Sequence, residues 1–182
     1  MRRESRTVTG GDVALVGMMV AVIEACKFVM AGLPNVELTS FWVILFSLCF
    51  GRRICFVIPV FTLLEGLIYG FGLWWVMYLY AWPLLAVVVR LLRKMDSAVG
   101  WAVVSGLFGL LFGALCSIPY GVIGAVDGLD SGLRAAFAWW IAGIPFDLAH
   151  GAGNFALMLI LYRPVRRAME TALLGPVEEF ES

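Results

Sequence analysis

Ionisable side chains inside strongly apolar segments are the residues of this chain that could do chemistry. Glu24 and Lys27 lie three residues apart in an apolar run near the N-terminus, so a helix places them on one face. Glu65 lies in a later run of the same kind. Because each such group is costly in hydrocarbon unless it is paired or hydrated, each one marks a structural network or a functional pocket.

A second polar group lies near the C-terminus, where Asp147, His150 and Asn154 interrupt another apolar run. Their spacing of three and four residues covers about two helical turns, which predicts one polar stripe. Two interpretations are open. In a structural network, Lys27 neutralises a carboxylate while the histidine and the asparagine connect helices. In the functional interpretation, these groups line a pocket that opens outward.

Aromatic residues are concentrated beside these polar groups. Trp75, Tyr78 and Trp82 share one helix face, and Trp139 is predicted to lie at the same outer level. An interfacial aromatic belt is one explanation. A belt usually decorates both interfaces, however, and the inner one has few aromatics here. The distribution therefore favours a pocket that stacks on a flat, partly polar ligand.

The composition requires lipid as the main solvent. Of 182 residues, 62% are hydrophobic and only 14% are charged, against roughly 25% in soluble domains. The mean hydropathy is +0.95. These values predict a polytopic membrane protein and exclude a disordered chain, a secreted disulfide scaffold and a DNA-binding module.

Six apolar runs predict an all-α integral membrane protein, a six-helix bundle forming a single membrane domain over residues 1–182. The predicted helices cover about 13–33, 38–50, 54–71, 73–92, 98–125 and 135–162, and residues 163–182 form a cytoplasmic tail. Eleven of the thirteen basic residues fall on one side of six crossings. The positive-inside rule therefore places both termini in the cytoplasm.

No pattern for covalent chemistry is present. The chain has no nucleotide-binding loop, no HExxH and no nucleophile elbow. Its four cysteines form no CxxC pair, and its single histidine leaves too few ligands for a zinc site. We therefore expect no catalytic residues, no bound metal and no cofactor, and we expect a protein that is not an enzyme.

Four segments, taken in order, resemble the substrate-binding (S) component of an energy-coupling factor (ECF) vitamin transporter. They are LPNVELTSF after the first helix, FGRR after the second, LLEGLIYGFGLWWVMYLYAWPLL across the third and fourth, and GIPFDLAHGAGNFALML in the sixth. The resemblance covers about residues 13–167. It implies a small protein of the bacterial plasma membrane that binds a vitamin or related micronutrient from outside.

The resemblance also implies partners and a site. The partners are a transmembrane coupling protein (T component) and two cytoplasmic ATPases. A pattern of small residues in the first helix would contact the coupling protein, here Gly17, Ala21 and Ala25. The substrate-binding residues, including Trp139 as a stacking surface, are Asn35, Glu37, Glu65, Tyr69, Trp75, Tyr78, Trp139, Asp147, His150 and Asn154. Because most of the ionisable groups are acidic, we expect a ligand with cationic or hydrogen-bond-donor groups.

Two other classes of protein remain open. A small multi-pass membrane enzyme could use Asp147 and His150, although no paired-aspartate or Ser/His signature occurs. An ion-coupled carrier could use Glu24, Lys27 and Glu65, although the chain is short and has no evident inverted repeat. Turnover of a substrate by the chain alone would indicate the enzyme, and gradient-driven transport without ATPases would indicate the carrier.

Overall fold

The computed structural model describes residues 9–33 and 35–174, and within these ranges the chain is helical and contains no β-strand. The helices are α1 (Gly10–Met30), α2 (Thr39–Phe50), α3 (Ile54–Tyr69), α4 (Leu73–Leu91), α5 (Ala98–Leu110), α6 (Phe112–Gly124) and α7 (Leu129–Leu174). The prediction of an all-α protein is therefore confirmed for these residues.

Five helical segments within the described residues are long and apolar enough to cross a membrane. They are Gly10–Met30, Thr39–Tyr69, Leu73–Leu91, Ala98–Asp127 and Leu129–Leu173. Large apolar side chains cover their outer surfaces, and Val29 and Val126 are each 85% exposed. Such a surface suits lipid rather than water, so the structure is consistent with the predicted multi-pass membrane protein.

Two features of the backbone differ from the predicted helix bounds. The predicted segment 98–125 is divided at Leu111 into α5 and α6. The predicted segment 135–162 is longer, because α7 has 46 residues and continues through Pro145 and Pro164. The predicted tail therefore begins inside α7, and its acidic end at 175–182 lies outside the described residues.

Two ion pairs show how α1 and α3 are oriented relative to each other. At their first turns, Arg53 lies 2.9 Å from the carboxylate of Asp12. Near their last turns, Lys27 lies 2.5 Å from the carboxylate of Glu65. Because the starts meet and the ends meet, α1 and α3 run parallel. We call the end of the bundle that contains Lys27 and Glu65 the cavity end.

The helix between them runs in the opposite direction. The Trp42 indole, in the first turn of α2, donates a hydrogen bond to Cys26 Sγ near the end of α1 at 3.2 Å. The chain then turns at Gly51, whose φ of +58° suits glycine because it has no Cβ. Helices α2 and α3 are therefore an antiparallel hairpin, although together they form one apolar segment.

Helix α7 packs antiparallel along α5 and α6 over most of its length. Gly109 and Gly151 bring the two backbones together so closely that a Cβ on Gly109 would lie 2.8 Å from the Gly151 backbone. At the opposite end of the bundle, Arg166 of α7 lies 2.5 Å from Asp96, just before α5. We call this end, which also contains Arg53, the arginine end.

The core contains an aromatic column that joins α3, α4, α5 and α6. The Trp82 ring at its centre is fully buried, and its centroid lies 5.3 Å from that of Tyr78 and 5.7 Å from that of Phe108. Phe61 and Phe112 extend the column on either side of it. Tyr78 and Phe112 of this column also line the cavity described next. The packing of the column therefore fixes part of the cavity wall.

Candidate functional site

A cavity of about 440 Å³ lies at the cavity end of the bundle. Its walls come from the ends of α1 and α3, the start of α4, the start of α6, the middle of α7 and the segment between α1 and α2. Its lining residues are Lys27, Met30, Ala31, Leu33, Asn35, Val36, Glu37, Glu65, Tyr69, Trp74, Tyr78, Phe112 and His150. The volume is within the range of small-molecule sites.

An ion pair between Lys27 and Glu65 forms one wall. Lys27 Nζ donates to Glu65 Oε2 at 2.5 Å, and the two side chains are 15% and 2% exposed. The other carboxylate oxygen of Glu65 is buried and accepts no hydrogen bond from the described residues. Glu24, one turn before Lys27 on α1, is also buried. Neither of its carboxylate oxygens accepts a hydrogen bond from the described residues. Lys27 therefore pairs with only one of these two buried carboxyl groups.

Three aromatic rings surround the same ammonium group. Lys27 Nζ lies 5.5 Å from the ring centroid of Phe61 and 5.6 Å from those of Tyr69 and Tyr78. All three distances are within the range of cation–π attraction, about 6 Å. We call Glu65 and these three rings the ammonium cage.

A second polar pair, Glu37 and His150, also lines the cavity. His150 Nε2 lies 3.6 Å from Glu37 Oε1, which is too long for a hydrogen bond. The His150 ring packs edge-to-face on Phe112 with centroids 4.8 Å apart. His150 Nε2 is buried and has no hydrogen-bond partner within the described part of the chain. Thr39 donates to the other Glu37 oxygen at 3.1 Å, so that carboxylate is partly held in place.

Six of the ten residues predicted to bind substrate line this cavity. They are Asn35, Glu37, Glu65, Tyr69, Tyr78 and His150. Polar groups in apolar segments were the signal for Glu65 and His150, the aromatic cluster was the signal for Tyr78, and the resemblance supplied Asn35, Glu37 and Tyr69. The four others, Trp75, Trp139, Asp147 and Asn154, are not among the lining residues.

Trp74, rather than its neighbour Trp75, lines the cavity. The Trp75 indole turns toward α3 and donates a hydrogen bond to the carbonyl oxygen of Thr62 at 2.7 Å. Trp74 packs edge-to-face against Tyr78, with ring centroids 5.3 Å apart. The four-residue spacing of Trp74 and Tyr78 was visible in the sequence, but Trp75 and Tyr78 share a face almost as well.

Asp147 and Asn154 bind other helices instead of lining the cavity. Asp147 accepts a hydrogen bond from the backbone N–H of Gly113 at 2.8 Å, directly after the interruption between α5 and α6. Asn154 Nδ2 donates to Ser40 Oγ at 3.1 Å and thereby ties α7 to α2. The predicted stripe on α7 is therefore divided, and only His150 reaches the cavity.

Trp139 lies away from the cavity. Its ring stacks on that of Tyr120 with centroids 3.7 Å apart, and its side chain is 43% exposed. This contact joins α6 to the first part of α7. Trp139 is therefore a packing residue of that helix pair in this structure.

Lys27 and Phe112 line the cavity although sequence analysis did not include them among the binding residues. Lys27 was considered as part of a structural network, of a polar-lined pocket or of an ion-coupled carrier, but it was not named as a substrate-binding residue. Its place one turn after Glu24 was the available signal. Phe112 is one apolar residue among many, and nothing in its local sequence distinguishes it.

The surface predicted to contact a partner lies on the outside of α1. Gly17, Ala21 and Ala25 are all exposed and follow one line along the helix. No other described residue comes within 4 Å of where a Cβ on Gly17 would lie. This line is therefore open to lipid or to another helix.

The described residues contain no group of three or more His, Cys, Asp or Glu side chains that could hold a metal ion. The polar side chains at the cavity are instead suited to hydrogen bonds and charge pairing with an organic molecule. No significant match was found among protein-family models, curated proteins or solved structures.

Proposed function

We propose that the chain is the S component of an ECF-type importer, which captures a vitamin or related micronutrient and delivers it inward. The observation that carries this proposal is the cavity itself. It combines two acid-containing walls, several aromatic rings and unpaired buried polar atoms inside an apolar helical bundle. These are the features of a site that holds a small, partly polar molecule by stacking and hydrogen bonds.

The proposal includes six membrane crossings in the bacterial plasma membrane, with both termini in the cytoplasm. The antiparallel course of α1, α2 and α3 supports six passes, as do the contact of Trp75 at the start of α4 with Thr62 in the second half of α3 and the antiparallel packing of α7 on α5. The cavity end then faces outward, and the arginine end lies at the cytoplasmic surface. This orientation agrees with the positive-inside rule, because Arg53 and Arg166 lie at the arginine end.

Transport requires partners that this chain does not supply. The proposed partners are a transmembrane coupling protein and two cytoplasmic ATPases, and the exposed line of small residues on α1 is the proposed contact with the coupling protein. Small residues allow close approach of a second helix in lipid. The chain binds without covalent chemistry, and ATP hydrolysis in the partners drives delivery.

Native mass spectrometry of the detergent-purified chain is the first test. We expect one small molecule of fixed mass to be retained at one copy per chain. Proteoliposomes that contain the chain with its coupling protein and ATPases should then take up that molecule only when ATP is supplied. Uptake that is independent of ATP would contradict the proposal.

An ion-coupled carrier is a second candidate, favoured by the cluster of Glu24, Lys27 and Glu65. In that case the chain alone would transport its substrate in liposomes, and an imposed ion or proton gradient would drive it. The same proteoliposomes, prepared without ATPases, separate the two functions. Gradient-driven uptake would favour the carrier, and its absence would favour the importer.

A further inference from the structure

The ammonium cage already contains a cation, which is the side chain of Lys27. Its Nζ makes a 2.5 Å contact with Glu65 and lies within 5.6 Å of three ring centroids. A carboxylate combined with aromatic faces is the arrangement by which proteins bind organic ammonium ions. The chain therefore shows where a cation is stabilised in this cavity.

The charges around the cavity do not balance. Among the described residues at or next to the cavity, Glu24, Glu37 and Glu65 provide three carboxyl groups and Lys27 provides the one ammonium group. One oxygen of Glu65 and both oxygens of Glu24 are buried without hydrogen-bond partners among those residues. A ligand that brings positive charge reduces this imbalance, whereas an anionic ligand increases it.

The lysine can leave the cage more easily than the carboxylate can. Lys27 lies in the last turn of α1 and carries its charge on a flexible four-carbon stem. Glu65 is held in the interior of the bundle and is 1% exposed. The adjoining residues Phe28 and Val29 are exposed, so the end of α1 is not enclosed by the rest of the bundle.

We propose that Lys27 is an internal occupant of a cation subsite, and that the ligand is an organic cation on a flat ring that displaces it. The ligand's cationic group enters the ammonium cage, and its ring packs between Trp74 and Phe112, which line the same cavity. Lys27 moves toward the cavity mouth. This inference names the ligand class of the proposed function and depends on the same cavity being the ligand site.

Three probes that share a benzyl group and differ in charge test the ligand class. Benzyltrimethylammonium, benzyl alcohol and phenylacetate are titrated into the detergent-purified full chain by calorimetry. We expect the cation to bind about tenfold more tightly than the alcohol, and phenylacetate to bind most weakly. A cation that binds no better than the alcohol, including a failure of all three to bind, would overturn the proposal.

Amine labelling tests whether Lys27 is displaced. The sequence contains only two lysines, Lys27 and Lys94, and Lys94 is exposed at the arginine end, so it serves as an internal reference. Benzyltrimethylammonium has no reactive amine and does not consume the acylating reagent. We expect the probe to raise the modification of Lys27 severalfold and to leave that of Lys94 unchanged. Protection of Lys27 by the bound probe would overturn displacement.

A matched pair of variants tests the cage without removing a buried charge. Tyr69 is 51% exposed, so its replacement should not prevent folding. We expect Tyr69→Leu to weaken benzyltrimethylammonium binding severalfold, and Tyr69→Phe, which retains the ring, to leave it unchanged. Lys27→Met removes the internal competitor and should tighten binding, provided that the variant folds. Equal binding by Tyr69→Leu and Tyr69→Phe would contradict the cage.

The outcomes separate this inference from the proposed function. ATP-dependent import of an anionic or neutral molecule would overturn the cation subsite and leave the importer intact. Tight binding of the cationic probe by a chain that transports nothing with its partners would leave the subsite intact and overturn the importer.

Discussion

Two residues that line the cavity, Glu65 and His150, carry buried polar atoms without hydrogen-bond partners among the described residues. Within residues 9–33 and 35–174, such atoms also occur on Glu24 and Thr62, each one turn before a residue of the lining, and on Trp82, Ser105 and Asp147, which do not line the cavity. An unpaired buried polar atom costs about 1–3 kcal/mol, so a cluster of them is expensive unless another molecule supplies the partners. A ligand or bound water that completes these hydrogen bonds would recover that free energy.

Replacing Glu65 with glutamine tests its role in ligand recognition. The variant keeps the size of the side chain and removes its charge. We expect the affinity for the co-purified ligand to fall about tenfold or more, because hydrogen bonds to charged groups contribute about 1.5–3 kcal/mol. Calorimetry with the extracted ligand measures the change.

Glu170→Gln is the matched control, because Glu170 also accepts from a basic side chain, but at the arginine end. We expect it to bind ligand like the unmodified chain. Equal affinities for the two variants would remove Glu65 from the site.

Asn154→Leu separates the structural role of Asn154 from the binding role predicted for it. Asn154 ties α7 to Ser40 and also donates to the Ser105 carbonyl oxygen at 3.4 Å. We expect the substitution to lower the free energy of unfolding by about 1–3 kcal/mol, since it leaves buried polar partners unpaired. Thermal unfolding in detergent measures this effect.

Ligand affinity should remain within about twofold, since Asn154 does not line the cavity. A large loss of affinity with unchanged thermal stability would instead place Asn154 in the binding site.

The sequence could predict cavity residues where a polar group had no reason to be in an apolar run, as for Glu65 and His150. It could not show whether Trp74 or Trp75 faces the cavity, because the spacing of either residue from Tyr78 places it on the same helix face as Tyr78. It also could not assign Asp147. The partner of Asp147 is a backbone N–H at the interruption between α5 and α6, which has no side-chain signature.

At the scale of helices, α5, α6 and α7 form a closely packed group built on glycine. A Cβ on Gly109 would lie 2.8 Å from backbone atoms of Gly151, which cannot move aside as a flexible side chain can. Just beyond this contact, Asp147 accepts from Gly113 where α6 begins. The close approach therefore positions His150, which precedes Gly151, against Phe112 at the cavity.

Gly109→Ala is expected to destabilise the protein by about 1–3 kcal/mol, because the new methyl group forces the two backbones apart. Gly143→Ala is the matched control. Gly143 also lies in a helix, and no other described residue comes within 4 Å of the position that its new methyl group would occupy.

The control should be neutral or more stable by about 0.5–1 kcal/mol, as alanine favours helix. Thermal unfolding of both variants in the same detergent measures the difference. Equal melting temperatures would contradict the close contact between α5 and α7.

The sequence predicted where most helices lie, because long apolar runs define them. It did not predict the interruption at Leu111, since the run 98–125 is apolar throughout. It also did not predict that α7 begins before residue 135. Residues 129–134 include Asp130 and Arg134, so their hydropathy is low although their backbone is helical.

For the whole molecule, the proposed six crossings predict which ends of the bundle are on the same side of the membrane. A fluorescent protein fused after Ser182 should fold in the cytoplasm and be fluorescent. Alkaline phosphatase inserted at Gly128, in the turn between α6 and α7, should be exported and active. The two reporters exchanged between these positions are the control. Five crossings would place one of the two reporters on the other side.

The exposed line of small residues on α1 is the contact with the coupling protein in the proposed importer, and a variant on this line tests it. Ala21→Trp should reduce co-purification with the coupling protein about tenfold or more, because the indole prevents close helix approach. Leu107→Trp is the control, since Leu107 is 53% exposed on α5 rather than on α1. Neither variant should change ligand affinity. Loss of co-purification in both variants, or in neither, would contradict this face as the contact.

The length of α7 has a mechanical consequence. Its 46 residues span about 69 Å, more than twice the roughly 30 Å of a bilayer's hydrocarbon layer. His150 lies at the cavity, and Tyr162 accepts a hydrogen bond from Arg166 at the arginine end. The two residues are about 18 Å apart along this one helix. No proline lies between these two residues. A tilt of this stretch of α7 would therefore move His150 and Tyr162 together. A partner that binds beside Tyr162 and tilts this stretch of α7 would therefore also move His150 at the cavity.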